Sequence, residues 1–153
     1  MSGEFGELRK GVFPAVLTET HADDTTRPFW DAALEGRLVA PRCTRCGTFR
    51  LPPSPFCFAC RHRDVEWVEL PGTATLYSYT VVRHPLHPDL RDACPYVSAV
   101  VELDGTQGAG ARMIVNVVDC DPDDLEIGDP LEVAFERVSD AMAPPPFRPR
   151  RGR

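Results

Sequence analysis

The chain changes its pattern of apolar and polar residues near residue 64. Beyond that point apolar residues recur at every second position, which is the period of a half-buried β-strand. In the last such segment Leu131, Val133 and Phe135 alternate with Glu132 and Glu136. Five segments share this pattern and are bounded by turn residues: 66–70, 74–82, 96–103, 112–118 and 131–138. This pattern predicts a mainly β protein with a small barrel or sandwich over residues 65–140.

A short amphipathic helix is predicted before these strands, within residues 25–40. Thr25 or Thr26 can cap its first turn, and Gly36 follows its last apolar residue. Its apolar stripe begins with the aromatic pair Phe29 and Trp30. Two large aromatic side chains on so short a helix suit either the core of its own domain or a contact with a partner protein, and both readings stay open. We expect a docking helix with Phe29 and Trp30 as partner-binding residues.

The two ends of the chain lack a sustained apolar period. Residues 1–24 are predicted to form a flexible or partner-dependent arm. Residues 141–153 contain a run of prolines followed by arginines, which predicts a proline-rich basic tail that is extended or docks on another surface. Residues 41–64 are dense in Cys, Pro and Gly and are too poor in periodic apolar residues to build a core of their own.

Composition narrows the class of protein. With 153 residues, 42% hydrophobic and 26% charged, the chain has the make-up of one soluble globular domain, alone or with a small satellite. A net charge of −6 disfavours nucleic-acid binding, which depends on neutralising phosphates. The sequence carries no secretory signal and no run of about 18 apolar residues, so we expect a cytoplasmic protein without a membrane segment. In that reducing compartment, six cysteines suggest metal binding before disulfides.

Four of the cysteines have the spacing of a metal site. Cys43, Cys46, Cys57 and Cys60 form a C-x2-C-x10-C-x2-C pattern, in which each pair presents two thiolates from one tight turn. Four thiolates favour a tetrahedral Zn²⁺ site of a compact zinc ribbon, with a rubredoxin-like iron site and disulfides as alternatives. A complete set of four cysteines leaves no open position for water, so the predicted zinc is structural and an independent zinc hydrolase is disfavoured.

Several other residues have side chains that are reactive or bind metal in other proteins, and none of them is predicted to be catalytic here. Cys94 and Cys120 lack an obvious neighbouring base in the sequence, and His84 and His87 lie in a proline-rich loop. Three arginines near the tetrad either offset its negative charge, meet an anionic ligand or are solvated surface charges: Arg42, Arg45 and Arg50. Four acidic residues before the last strand are predicted to form a turn, because the Gly and Glu of a calcium loop are missing: Asp119, Asp121, Asp123 and Asp124.

The order of these elements resembles a known family. The segments PFWDAALEGRLVAPRC, RLPPSPFC, EWVELPGTATLYSYTVV, PYVSAVVELD and IGDPLEVAFE follow one another as in the bacterial and archaeal zinc-ribbon OB-fold proteins that accompany thiolases and other acyl-CoA enzymes. The resemblance extends from about Thr26 to Pro149. It implies an N-terminal helical segment, a rubredoxin-like zinc ribbon and a C-terminal five-stranded OB-fold barrel. It also implies that the four cysteines of the tetrad are zinc ligands, and it supplies no catalytic residue.

The same resemblance implies a non-catalytic subunit of a hetero-oligomer. Its partner would be a thiolase-like or lipid-transfer-protein-like homodimer that holds most of the acyl-CoA substrate. A retro-aldolase that shortens a steroid side chain as a β-hydroxyacyl-CoA is favoured over a thiolase or acyltransferase. The alternative is an OB module that binds single-stranded nucleic acid or CoA, with three tyrosines as stacking faces: Tyr77, Tyr79 and Tyr96. Few basic residues lie in the predicted strands, which disfavours nucleic acid.

Overall fold

The computed structural model describes residues 10–18, 22–106, 108 and 110–150. Within these residues the chain forms a two-stranded sheet, a closed five-stranded barrel and two short α-helices. The helices are α1 (Ala15–Thr18) and α2 (Arg27–Leu34). The strands are β1 (Val39–Cys43), β2 (Val65–Glu69), β3 (Thr73–Val82), β4 (Tyr96–Leu103), β5 (Arg112–Val117), β6 (Pro130–Val133) and β7 (Phe147–Pro149). The predicted mainly β class with a five-stranded barrel is confirmed.

Strands β1 and β2 pair with each other and form a unit that we call the ribbon, residues 39–69. They are antiparallel, with Val39 opposite Glu69 and Cys43 opposite Val65. The prediction that residues 66–70 form a barrel strand was therefore wrong. A period of two identifies a strand but not the strand it pairs with. The cysteine segment between Cys43 and Val65 folds back on itself, so the two strands that flank it meet.

The fifth barrel strand comes from the proline-rich tail. Around the barrel the order is β3, β4, β5, β7 and β6, with β7 parallel to β5 and antiparallel to β6. Prolines cannot donate to a strand ladder, but their carbonyl groups accept. The Ala134 N–H donates to the Pro146 carbonyl and the Arg150 N–H to the Pro130 carbonyl, at 2.8 and 2.9 Å. Residues 147–149 of the predicted proline-rich tail are thus extended and pair within the chain's own barrel, while residues 151–153 lie outside the described part.

The barrel interior is filled by alternate side chains of its strands. Leu76, Val101 and Leu131 are fully buried, and Phe147 of β7 joins them with 0% of its surface exposed. Helix α2 packs on this core through Phe29, and the ribbon packs on it through Ala40. Both residues belong to the same buried cluster as the barrel side chains. The barrel therefore buries apolar side chains from the helix, the ribbon and the tail in one core.

Residues 10–18 belonged to the segment predicted as an arm, yet they pack on the barrel. The Asn116 side-chain amide donates to the Gly11 carbonyl at 2.6 Å. Val12 is buried in a second cluster, and the Phe13 ring meets the Tyr96 ring edge-on at 4.9 Å. Gly11 has φ +91° and lies close to the Val118 side chain, so glycine suits this approach. Residues 1–9 and 19–21 lie outside the described residues.

Helix α2 begins at the predicted place with a different capping group. Thr26 occupies the position before the helix but makes no side-chain capping bond to it. Instead the Asp23 carboxylate accepts from the N–H groups of Thr25 and Thr26, at 3.0 and 2.9 Å. Hydrogen bonds from the Thr26 backbone and hydroxyl lower the pKa of Asp23. Asp23 therefore fixes the turn that leads into α2.

Among the residues that the structure describes, none of the helices has the length and apolar content that crossing a bilayer requires.

Closure of the barrel by β7 gives a stability prediction. Phe147→Ala removes a fully buried ring, so we expect it to lower the free energy of unfolding by about 3–5 kcal/mol. Phe58→Ala is the matched control, because Phe58 is 74% exposed and its truncation should change that free energy by less than about 0.5 kcal/mol. Urea denaturation followed by circular dichroism measures both changes. Equal midpoints for the two variants would show that β7 does not close the barrel.

Candidate metal centre and apolar groove

The first cysteine pair lies in a tight turn directly after β1. The Cys43 N–H donates to the Thr48 carbonyl, and the Gly47 N–H donates to the Cys43 carbonyl, both at 2.9 Å. Gly47 follows Cys46 and has φ +76°, a left-handed conformation that glycine adopts without steric cost. These bonds turn the chain so that the side chains of Cys43 and Cys46 face one point.

The second pair repeats the first at the same spacing. The Cys57 N–H donates to the His62 carbonyl, and the Arg61 N–H donates to the Cys57 carbonyl, again both at 2.9 Å. Arg61 follows Cys60 as Gly47 follows Cys46, and it has φ 62°. A non-glycine residue in this conformation is uncommon and is held here by the hydrogen bonds of the turn. The two turns are therefore a local repeat that faces a shared centre.

The four predicted sulfur atoms come together between these turns. The Sγ atoms of Cys43 and Cys60 are 3.6 Å apart, and those of Cys46 and Cys57 are 3.5 Å apart. All four lie within 4.8 Å of one another. A tetrahedral zinc site with bonds of about 2.3 Å places its sulfurs about 3.8 Å apart. The spacing and the all-sulfur donor set fit a structural zinc ion.

The surroundings of the sulfur cluster give its cysteines different pKa values. Hydrogen bonds from the Thr48 side chain and backbone lower the pKa of Cys46 to about 6. The His62 backbone also favours the thiolate of Cys60, but burial and the neighbouring sulfurs outweigh it and raise the pKa of Cys60 to about 11. Four thiolates at this spacing repel one another, so a bound cation is needed to hold all of them ionised.

Arg50 is buried inside the ribbon, with 1% of its surface exposed. Its Nη1 atom donates to the Ser54 carbonyl at 3.1 Å, and its Nη2 atom donates to the carbonyls of Arg63 and Asp64 at 2.8 and 2.9 Å. The sequence did not separate Arg50 from the two arginines beside it. No local pattern marks it as buried, because the groups that accept from its guanidinium are backbone carbonyls that any residue provides.

The other two arginines near the tetrad behave differently. Arg42 on β1 forms an ion pair with Glu66, directly opposite on β2, at 2.7 Å. Arg45 is exposed in the first cysteine turn. Among the three, only Arg50 therefore places its charge inside the fold.

The remaining cysteine and histidine candidates do not assemble into a second centre. The tetrad is the one cluster of three or more such ligands found within the described ranges. Burial, followed by the neighbouring aspartates, raises the pKa of Cys120, which disfavours its thiolate. The His87 ring accepts from the Asp89 N–H at 3.3 Å, and the Asp121 carboxylate accepts from the Asp123 N–H at 3.0 Å. Both interactions cap short turns, as predicted for the acidic segment.

An apolar groove lies between α2, the ribbon and β5, and we call it the α2–β5 groove. It has a volume of about 450 Å³ and includes Phe29, Trp30, the Leu51 to Pro53 segment, Met113, Ile114 and Pro145 in its lining. Ile114 is 77% exposed although its side chain is apolar. Trp30 and Ile114 also line a smaller neighbouring cavity with Phe13 and the prolines before β7.

The two aromatic residues of α2 have different surroundings. Phe29 is 8% exposed and belongs to the barrel core, whereas Trp30 is half-buried between the two apolar clusters. Their rings meet edge-on at 5.0 Å. Packing on the chain's own domain, one of the two readings of this helix, therefore holds for Phe29. Partner binding by Phe29 and Trp30 stays a prediction, and Trp30 is the one of the two that an approaching surface can reach.

The three tyrosines considered for base stacking are not equivalent. Tyr96 is buried, and the Tyr79 hydroxyl donates to the Leu125 carbonyl at 2.7 Å. Tyr77 is half-exposed, with the Arg112 guanidinium 3.8 Å from its ring centre. The described strands thus offer one of the three rings to solvent, covered on one face by an arginine.

Together the barrel and the four-sulfur ribbon define a zinc-ribbon OB-fold protein. The profile of the family described as "ChsH2, rubredoxin-like zinc ribbon domain" matches residues 30–66, and that of "ChsH2, C-terminal OB-fold domain" matches residues 67–136. A DUF35 domain-containing scaffold protein of Methanothermobacter thermautotrophicus is 34% identical over 116 residues, which are 75% of this chain and 84% of that protein. The chain belongs to the ChsH2/DUF35 family, which confirms the predicted resemblance, OB-fold and zinc ribbon.

Two further similar proteins carry the names of an enzyme subunit and of an enzyme. The probable enoyl-CoA hydratase alpha subunit of Thermomonospora curvata is 39% identical over 137 residues, which are 89% of this chain but 41% of that protein. The chain therefore spans less than half the length of that relative. A solved structure, the "Ltp2-ChsH2(DUF35) aldolase", superposes with a TM-score of 0.75 at 37% identity, covering 86% of this chain and 98% of the matched chain.

The assigned metal centre predicts that zinc binding depends on the four clustered cysteines and not on Cys120. Cys57→Ser removes a buried sulfur of the cluster, so we expect loss of stoichiometric zinc and a lower melting temperature, because metal binding contributes to folding. Cys120→Ser is the control and should retain zinc at the wild-type level. Metal analysis of the purified chains together with thermal melts measures both effects. Wild-type zinc content in Cys57→Ser would contradict the assigned site.

Proposed function

We propose that the chain is a non-catalytic subunit that binds a thiolase-fold acyl-CoA enzyme and helps to form its substrate channel. The favoured partner is a lipid-transfer-protein-like aldolase, with a thiolase or acyltransferase as the other choice. One observation carries the proposal, namely the match to a chain of the solved structure named "Ltp2-ChsH2(DUF35) aldolase". The match covers 98% of that chain. The name scaffold protein, given to archaeal relatives, supports a role in assembly. The proposal keeps the cytoplasmic location expected from the sequence.

In this proposal the partner supplies the catalytic residues. A retro-aldol cleavage of a β-hydroxyacyl-CoA removes the proton of the β-hydroxyl group, breaks the bond between Cα and Cβ and protonates the resulting thioester enolate. A general base and an oxyanion site are needed for these steps. The metal centre of this chain suits neither role, because four sulfurs complete a tetrahedral shell and leave no position for substrate. The substrate favoured here is a steroid side-chain thioester held mainly by the partner.

The α2–β5 groove is the surface that we assign to docking and to the channel. Its lining is almost wholly apolar, and it is bordered by Ile114, a strongly exposed apolar side chain on the outside of the barrel. Exposed apolar side chains beside a groove are typical of binding surfaces. Trp30 lines both cavities and is a large aromatic side chain of the kind that often dominates binding energy.

The proposal is tested by purifying the tagged full-length chain from its native source under mild conditions. Mass spectrometry identifies the bound protein, and metal analysis of the same fraction gives zinc per chain. We expect a thiolase-fold subunit in a stable ratio, with about one zinc per chain. Acyl-CoA cleavage should appear only in the complex. Purification of the chain alone, or with nucleic acid, would contradict the proposed function but not the fold.

Two exposed isoleucines give a matched test of the docking surface. Ile114→Asp places a charge at the edge of the groove, so we expect at least about a tenfold weaker complex, equal to about 1.4 kcal/mol. Ile127→Asp is the control, because Ile127 is 70% exposed and does not line the groove, and it should bind like the wild type. Titration of each variant against the co-purified subunit measures the affinities. Equal affinities would place the interface elsewhere.

A further inference from the structure

Arg50 stands apart from every other charged residue that the structure describes. It is the one charged side chain there with full burial, and the groups that accept from its guanidinium are backbone carbonyls rather than carboxylates. Its Nε atom is buried and has no hydrogen-bond partner. A guanidinium removed from water without an opposing charge is strongly unfavourable. The three carbonyl groups solvate the guanidinium but do not neutralise its charge.

The sulfur cluster lies in the same ribbon as Arg50 and would carry negative charge with a metal ion bound. Four thiolates around a divalent cation carry a net charge of −2, and Cys43 and Cys57 are fully buried. The proline-containing segment that holds Ser54 leads into Cys57, and Arg63 and Asp64 follow Cys60. Arg50 thus donates to backbone on both sides of the second cysteine turn.

The same guanidinium is linked to the first cysteine turn through a shared acceptor. The Asp64 carbonyl that accepts from Arg50 at 2.9 Å also accepts from the Thr44 N–H at 3.2 Å. Thr44 is the residue after Cys43. In addition, the Arg50 N–H donates to the Pro41 carbonyl on β1 at 2.9 Å. One buried side chain and its backbone therefore connect the segments that enter and leave both halves of the metal site.

We propose that Arg50 is the buried counter-ion of the metal centre and the residue that positions its two cysteine turns. A positive charge buried in the same ribbon favours the state in which the cluster is most negative. With four thiolates, a divalent ion gives a net charge of −2 and a trivalent ion gives −1. Arg50 therefore biases the site towards divalent metal, which suits zinc and disfavours ferric iron.

The effect of the Arg50 charge is distinguished from the effect of its packing by loading the chain with iron. The quantity measured is the one-electron reduction potential. Arg50→Gln keeps hydrogen-bond donors but removes the charge. Arg50→Lys keeps the charge but loses the planar guanidinium group and its fixed set of donors. We expect Arg50→Gln to favour the ferric state at least tenfold more than the wild type, a lower potential by about 59 mV or more. Arg50→Lys should stay close to the wild-type potential.

Arg45→Gln is the control for a general effect of arginine loss, because Arg45 is exposed in the first cysteine turn and should leave the potential almost unchanged. A second readout needs no iron, namely the rate at which zinc passes to a chromophoric chelator. We expect at least tenfold faster transfer from Arg50→Gln than from Arg45→Gln. An unchanged potential in Arg50→Gln, or equal effects in the Arg45 and Arg50 variants, would overturn the proposal.

Discussion

The ribbon depends on one electrostatic constraint, which is that four cysteine sulfurs lie within 4.8 Å of one another. Ionised thiolates at this spacing repel strongly unless a cation binds among them. The segment between the strands has few apolar side chains, so burial alone cannot order it. Metal binding supplies the missing free energy and brings β1 and β2 side by side. Arg50 adds the only fully buried positive charge of the described residues to the same unit.

The ordered ribbon in turn determines the surface that we assign to partner binding. Its segment from Leu51 to Pro53 contributes to the lining of the α2–β5 groove, together with residues of α2, β4, β5 and Pro145. The lining thus comes from five separate parts of the chain, and the prolines near Pro145 lie directly before β7, which closes the barrel. The shape of the groove therefore depends on the ribbon, the helix and the barrel together. This dependence suits a subunit whose role is to present a shaped surface rather than reacting groups.

Much of this fold follows from local patterns in the sequence. Period two identifies the strands, and the spacing of Cys43, Cys46, Cys57 and Cys60 identifies the metal site, because both patterns reflect geometry within a few residues. The pairing of β2 with β1 and the barrel position of Phe147 depend on contacts between distant residues, which periodicity does not encode. Burial of Arg50 escapes sequence reasoning for the same reason, since its acceptors are backbone carbonyls that any residue provides.

We infer that the metal-ordered ribbon holds the docking surface in shape, so partner binding should depend on zinc. Affinity for the co-purified subunit is compared before chelation, after chelation and after zinc is restored, with circular dichroism to confirm that the barrel stays folded. We expect chelation to weaken the complex at least tenfold and added zinc to restore it. A zinc-free chain that binds the subunit as tightly as the zinc-loaded chain would contradict this inference.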